Sequence, residues 1–137
     1  MCYHIYMQKS VDYNSSLYKS KANKIINDFI DNPQNIKLID SVEKDFIDTK
    51  LYTELIELYR LEFFYTMNPI CFEKIGDILY KQKKYEEALD SYLSCAEISE
   101  NYSPIFKKLG KVFGKINDND SRLACIEQAK LIERENG

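Results

Sequence analysis

The chain has 137 residues, 45% of them hydrophobic and 30% charged, with a formal net charge of −3. That length can bury a core of its own, and the hydrophobic share excludes a disordered chain. The acidic balance gives no general attraction to nucleic acid, and the apolar runs fall far short of the roughly 20 residues that cross a membrane. Arginine is present only as Arg60, Arg122 and Arg134, while lysine, isoleucine, asparagine and tyrosine abound. AT-rich coding, as in a low-GC bacterium, produces that bias, and it leaves few of the guanidinium forks that phosphate readers use.

In chain order, MCYHIYMQKS lacks the basic and apolar regions of a signal peptide. Residues 1–14 read as an irregular N-terminal arm, with Tyr3, Ile5, Tyr6 and Tyr13 as anchors, and such a start fits a fragment of a longer protein. Residues 15–67 read as N-terminal helices. Ser15 or Ser16 caps the first, Tyr18, Ala22, Ile25 and Phe29 stripe it, and Asp31-Asn32-Pro33 ends it. Ile36, Ile39, Val42 and Phe46 stripe a second helix. Asp48 or Thr49 then caps a third, running through Leu51, Leu55, Leu58, Tyr59 and Phe63. Residues 34–66 thus have the length of a divergent helical hairpin.

From residue 68 to 137 the pattern sharpens. Asn68 caps a helix that Pro69 begins, with Met67 stapling against Phe72. Phe72, Ile75, Ile78 and Leu79 make its buried stripe. Gly76 interrupts it at a cost of about 1 kcal/mol relative to alanine, which implies close approach by a neighbour. The facing helix carries Tyr85, Ala88, Leu89, Tyr92 and Ala96, and small Ala88 is placed opposite Gly76. The scheme then recurs: Gly110 follows Gly76 by 34 positions, with Phe106, Leu109 and Phe113 for Phe72, Ile75 and Leu79. Ser103-Pro104 opens that helix. Asn119 or Asp120 caps the last one, which bears Leu123, Ile126, Ala129 and Ile132.

A helix–turn–helix unit with a 34-residue period resembles the tetratricopeptide repeat. In the first unit, 69–102, the matching positions are Phe72, Ile75, Gly76, Leu79, Tyr85, Ala88 and Tyr92, with Cys95 where a small alanine is usual. In the second, 103–136, Phe106, Leu109, Gly110, Phe113, Ile126 and Ala129 match, while Asn119 and Arg122 replace the expected tyrosine and alanine. The resemblance covers roughly half the chain. It implies an all-α, tetratricopeptide-like superhelical stack of antiparallel helix pairs, about seven helices in all. Phe72, Gly76, Ala88, Tyr92, Phe106, Gly110 and Ala129 are its structural repeat positions.

In that family the first helix of each pair lines a concave groove. The resemblance therefore nominates Glu73, Lys74, Asp77, Tyr80 and Lys81 from the first unit as partner-binding residues. The second unit adds Lys107, Lys108, Lys111 and Lys115, spread along one side of a helix. Such a strip attracts an acidic segment or a terminal carboxylate, against the plainer reading of a solvated face. The family's carboxylate clamp combines lysine with asparagine, and no groove asparagine accompanies these lysines. Residues 28–62 lean acidic, an asymmetry that favours head-to-tail self-association or a homodimer. The flank of the last helix is left either to its own charge or to a second chain or further segment.

No catalytic chemistry stands out. His4 is the only histidine and has no partner residue, so no metal site and no cofactor is expected. Glu86, Glu87 and Asp90 read as a solvated face, and the 11 tyrosines as packing residues rather than base-stacking platforms. Cys2, Cys71, Cys95 and Cys125 form no C-x-x-C pair and read as reduced, mostly buried thiols of a cytoplasmic protein. The expected function is a non-catalytic scaffold or adaptor, not an enzyme, that binds a protein or peptide in the cytoplasm, with no nucleic acid and no membrane span. The alternatives are a dimerisation or acceptor-binding module of a larger bacterial enzyme such as a glycosyltransferase, and a small secretion-type chaperone.

Overall fold

The computed structural model describes the backbone of residues 2–136 and the side chains of residues 16–136. Expectations resting on the side chains of Cys2, Tyr3, His4, Ile5, Tyr6 and Tyr13 lie outside the described residues. Among the described residues the chain forms seven α-helices and no strand: α1 (Cys2–Asp31), α2 (Lys37–Asp48), α3 (Tyr52–Thr66), α4 (Ile70–Lys81), α5 (Tyr85–Ile98), α6 (Ser103–Lys115) and α7 (Asn119–Asn136). They divide into two compact units, Met1–Tyr65 and Thr66–Gly137.

Within the first unit, α1 takes in the stretch expected to be an irregular arm. Residues 1–32 contain neither glycine nor proline, so nothing ends the helix before Pro33, and Ser15 and Ser16 lie inside it rather than at a cap. Its buried stripe is Ala22, Ile26 and Phe29, one position round from the expected Ile25, while Tyr18 is exposed. Ile39, Val42 and Phe46 of α2 and Leu55, Leu58 and Tyr59 of α3 are buried as their spacing requires. Tyr59 donates to Glu43 Oε1 at 3.1 Å, which ties α3 to α2. Glu62, at the end of the acidic stretch 28–62, is buried.

In the second unit α4 packs on α5, α5 on α6, and α6 on α7. Its core holds Cys71, Ile75, Ile78, Leu79, Ala88, Tyr92, Cys95, Ile105, Leu109, Val112, Ala129 and Ile132. Asn68 opens α4 by accepting from the Ile70 N–H at 3.1 Å. Met67, the expected staple on Phe72, adopts a left-handed φ of 57° and is 65% exposed. Asp118 caps α7 in place of Asn119 or Asp120: its carboxylate accepts from the Ser121 N–H at 3.1 Å and the Ser121 hydroxyl at 2.7 Å. Those bonds hold the Asp118 carboxyl below its ordinary range.

One turn recurs three times. Lys50, Lys83 and Asn117 take left-handed φ of 59°, 63° and 63°. After each, the next N–H closes a loop five residues long: Leu51 to the Phe46 carbonyl at 2.8 Å, Lys84 to Leu79 at 2.9 Å, and Asp118 to Phe113 at 2.9 Å. This is the Schellman closure of a helix C-terminus. It joins α2 to α3, α4 to α5 and α6 to α7, so the α2–α3 hairpin turns as the other two do. Thr49 belongs to this ending: its hydroxyl donates to the Asp45 carbonyl at 2.7 Å rather than capping α3.

Candidate partner-binding surface of the second unit

Glycine marks both hairpins, yet the two glycines do different work. A Cβ at Gly76 would lie within 3.0 Å of the Tyr92 ring, so the ring of Tyr92 is what crowds the glycine most closely. At Gly110 a Cβ would meet nothing nearer than 3.6 Å, because Ile126 stands where Tyr92 stands one repeat earlier. Close approach therefore explains Gly76 and not Gly110. Arg122, in the place of Ala88, is accommodated by turning along the helix: its guanidinium donates twice to Asn119 Oδ1, at 3.0 and 2.7 Å.

The polar groups on the α4 side of α6 form a network. Lys108 Nζ donates to both carboxylate oxygens of Asp77 at 2.9 Å and lies 2.9 Å from Glu73 Oε2. Tyr102 donates to Glu73 Oε1 at 3.0 Å, and Tyr92 to Asp77 Oδ1 at 2.6 Å. The Glu73 side chain is only 9% exposed, so this pairing balances the cost of covering a carboxylate. Burial alone lowers the Lys108 pKa, but the bonds to Asp77 and Glu73 outweigh it and the net shift is upward. Burial and the carboxylates likewise push the Tyr92 and Tyr102 hydroxyls up. Burial, followed by the Glu73 charge, pushes the Cys95 thiol up to about 11.

The four α6 lysines consequently do not share one side. Neighbouring residues on a helix point about 100° apart. Lys108 turns to α4, while Lys107 pairs with Glu133 of α7, where both groups are half-exposed. Lys111 lines two hollows: one of about 130 Å³ with Asp77, Tyr80, Tyr92 and Lys108, and a larger cleft of about 460 Å³ between α6 and α7. Lys81, Lys111 and Lys115 are exposed and carry no ion pair among the described residues. Lys74 is half-buried and has a partner of its own, and Tyr80 meets Tyr85 edge to face with ring centroids 5.4 Å apart. Glu86, Glu87 and Asp90 are exposed.

Sequence reasoning missed Arg122, Ile126, Lys130 and Glu133 as cleft residues. Comparing the two repeats position by position would have found them, since Ala88, Tyr92, Ala96 and Ser99 change to these residues. Among the described residues no three His, Cys, Asp or Glu side chains converge as metal ligands, and no helix is long and apolar enough to cross a membrane.

The architecture has known counterparts. A crystal structure of MamA superposes with a TM-score of 0.64 over 82% of this chain and 67% of that one, at 16% identity. MamA of MSR-1 does so with a TM-score of 0.65 over 91% and 72%, at 13% identity. The fold is that of a helical repeat. MamA is a helical-repeat protein of tetratricopeptide-like type, and at this identity the likeness concerns the fold alone. No protein-family profile matches the sequence, and no curated relative is detected in it.

Proposed function

We propose that this chain is a non-catalytic protein-binding module of tetratricopeptide type that takes an acidic segment of a partner on the α4–α6 side of its second unit. The observation that carries this reading is the Lys108 bridge to Glu73 and Asp77. It ties α6 to α4 and balances one of the two carboxylate charges there, while Lys81, Lys111 and Lys115 remain exposed cations, Lys111 in the same hollow as Tyr80. Exposed ammonium groups, one of them sharing a hollow with an aromatic ring, suit carboxylates carried on a peptide. Glu73, Asp77 and Lys108 act in this scheme as the frame, and the outer lysines make the contacts. The free thiols of Cys71, Cys95 and Cys125, two of them buried, support a reducing, cytoplasmic setting.

Selection from a displayed random-peptide library tests the reading. Recovered sequences are expected to be rich in Asp and Glu. Binding is expected to drop about tenfold in a Lys81→Glu, Lys115→Glu variant, a change of about 1.4 kcal/mol. Recovery without acidic bias, or equal capture by the variant, contradicts the assignment.

A further inference from the structure

We infer that the α6–α7 cleft is a second docking site, shaped for one amphipathic helix of a partner protein that carries carboxylates along its docking edge. It goes beyond the α4–α6 surface and rests on a comparison of the two hairpins.

The first hairpin shows what this position on a repeat is for. Glu73, Asp77, Tyr92 and Cys95 line the side of α4–α5 that meets α6. Lys108 binds the first two, shares a hollow with Tyr92, and acts electrically on the Cys95 thiol. Ile105, Leu109 and Val112 of α6 are buried. Advancing those four positions by 34 residues gives Lys107, Lys111, Ile126 and Ala129, all of which line the α6–α7 cleft. The cleft therefore occupies, on the second hairpin, the position that α6 fills on the first.

Its chemistry is inverted. Two carboxylates have become Lys107 and Lys111, and Ala88 and Ala96 have become Arg122 and Lys130. A helix that docks on the first hairpin brings a lysine; one that docks on the second must bring Asp or Glu at the corresponding place. The floor stays apolar, with Ala129 buried and Ile126 half-buried. Exchanging tyrosine for isoleucine opens room over Gly110, where an incoming side chain fits. Glu133 holds Lys107 meanwhile; because both are half-exposed, giving up that pair costs little.

The probe is a fluorescein-labelled peptide of residues 102–116 with Lys107, Lys108, Lys111 and Lys115 each replaced by glutamate. It keeps the buried apolar residues of α6, Ile105, Leu109 and Val112, and supplies the opposite charge. Anisotropy titration with the full chain is expected to show saturable binding at least about tenfold tighter than for the unaltered peptide. Two variants should each weaken it about tenfold while keeping native helicity and melting: Ile126→Tyr, which refills the space, and Lys107→Glu with Lys130→Glu, which reverses the rim. Should Ile126→Tyr fail to fold, the charge variant decides. Equal affinity for both peptides, absence of binding, or full binding by the folded charge variant overturns the inference. Loss of binding in Lys81→Glu, Lys115→Glu alone also overturns it, while leaving the α4–α6 reading intact.

Discussion

Two adjacent lysines illustrate how much one step around a helix decides. Lys108 is two-thirds buried against a nearly covered Glu73, so Lys108→Ala strands a carboxylate that, among the described residues, retains Tyr102 alone as donor. Unfolding in urea is expected to show a loss of about 2–3 kcal/mol. Lys107→Ala removes a half-exposed pair and is expected to cost under about 1 kcal/mol. Equal losses would contradict the division of the lysines. The glycines make a matching pair. Gly76→Ala forces the Tyr92 ring aside and is expected to cost about 1–3 kcal/mol. Gly110→Ala meets no obstacle and is expected to gain up to about 1 kcal/mol of helix propensity. The 34-residue recurrence of glycine was legible in the sequence, but its cause was not: spacing alone does not say that the Tyr92 ring crowds Gly76 while nothing crowds Gly110. Nor could two lysines be assigned inward and outward roles until Glu73, one repeat back, was seen to be buried.

Apolar spacing placed the helices from α2 onward, because a buried stripe needs residues at intervals of three and four whatever the neighbours are. Ile39, Val42 and Phe46, or Ile75, Ile78 and Leu79, could be read that way directly. The ends were harder. Sequence signals for a helix stop are glycine, asparagine and proline, whereas two of the three hairpin turns here place lysine in the left-handed region. The first helix went astray for the same reason in reverse, with serines suggesting a cap inside a stretch that held nothing to break a helix. The turns yield a direct test. Lys83→Gly removes the Cβ conflict at φ 63° and is expected to stabilise the chain by about 1 kcal/mol. A loss of thermal stability instead would mean that the lysine side chain, not its backbone, holds the turn.

Over the whole chain, both units share one dependence on pH. Burial, reinforced by Glu43 and by Asp77 respectively, holds the Tyr59 and Tyr92 hydroxyls well above the ordinary phenol value of 10.0, and Lys108 is shifted upward too. The unfolded chain then gives up these protons at lower pH than the folded one. Their contribution is complete below about pH 10 and declines as the pH climbs further. Melting temperature is expected to fall above that point, and less steeply in Tyr59→Phe, Tyr92→Phe. A flat profile would show that neither hydroxyl is held as the hydrogen bonds indicate. The most direct test of partner recognition is a titration of the isotope-labelled chain, followed by amide NMR shifts, with an acidic peptide recovered by selection. Shifts at Tyr80, Lys81, Lys111 and Lys115 are predicted. Shifts confined to the exposed Leu93 and Ile98 of α5, or no shifts at saturating peptide, would contradict the account.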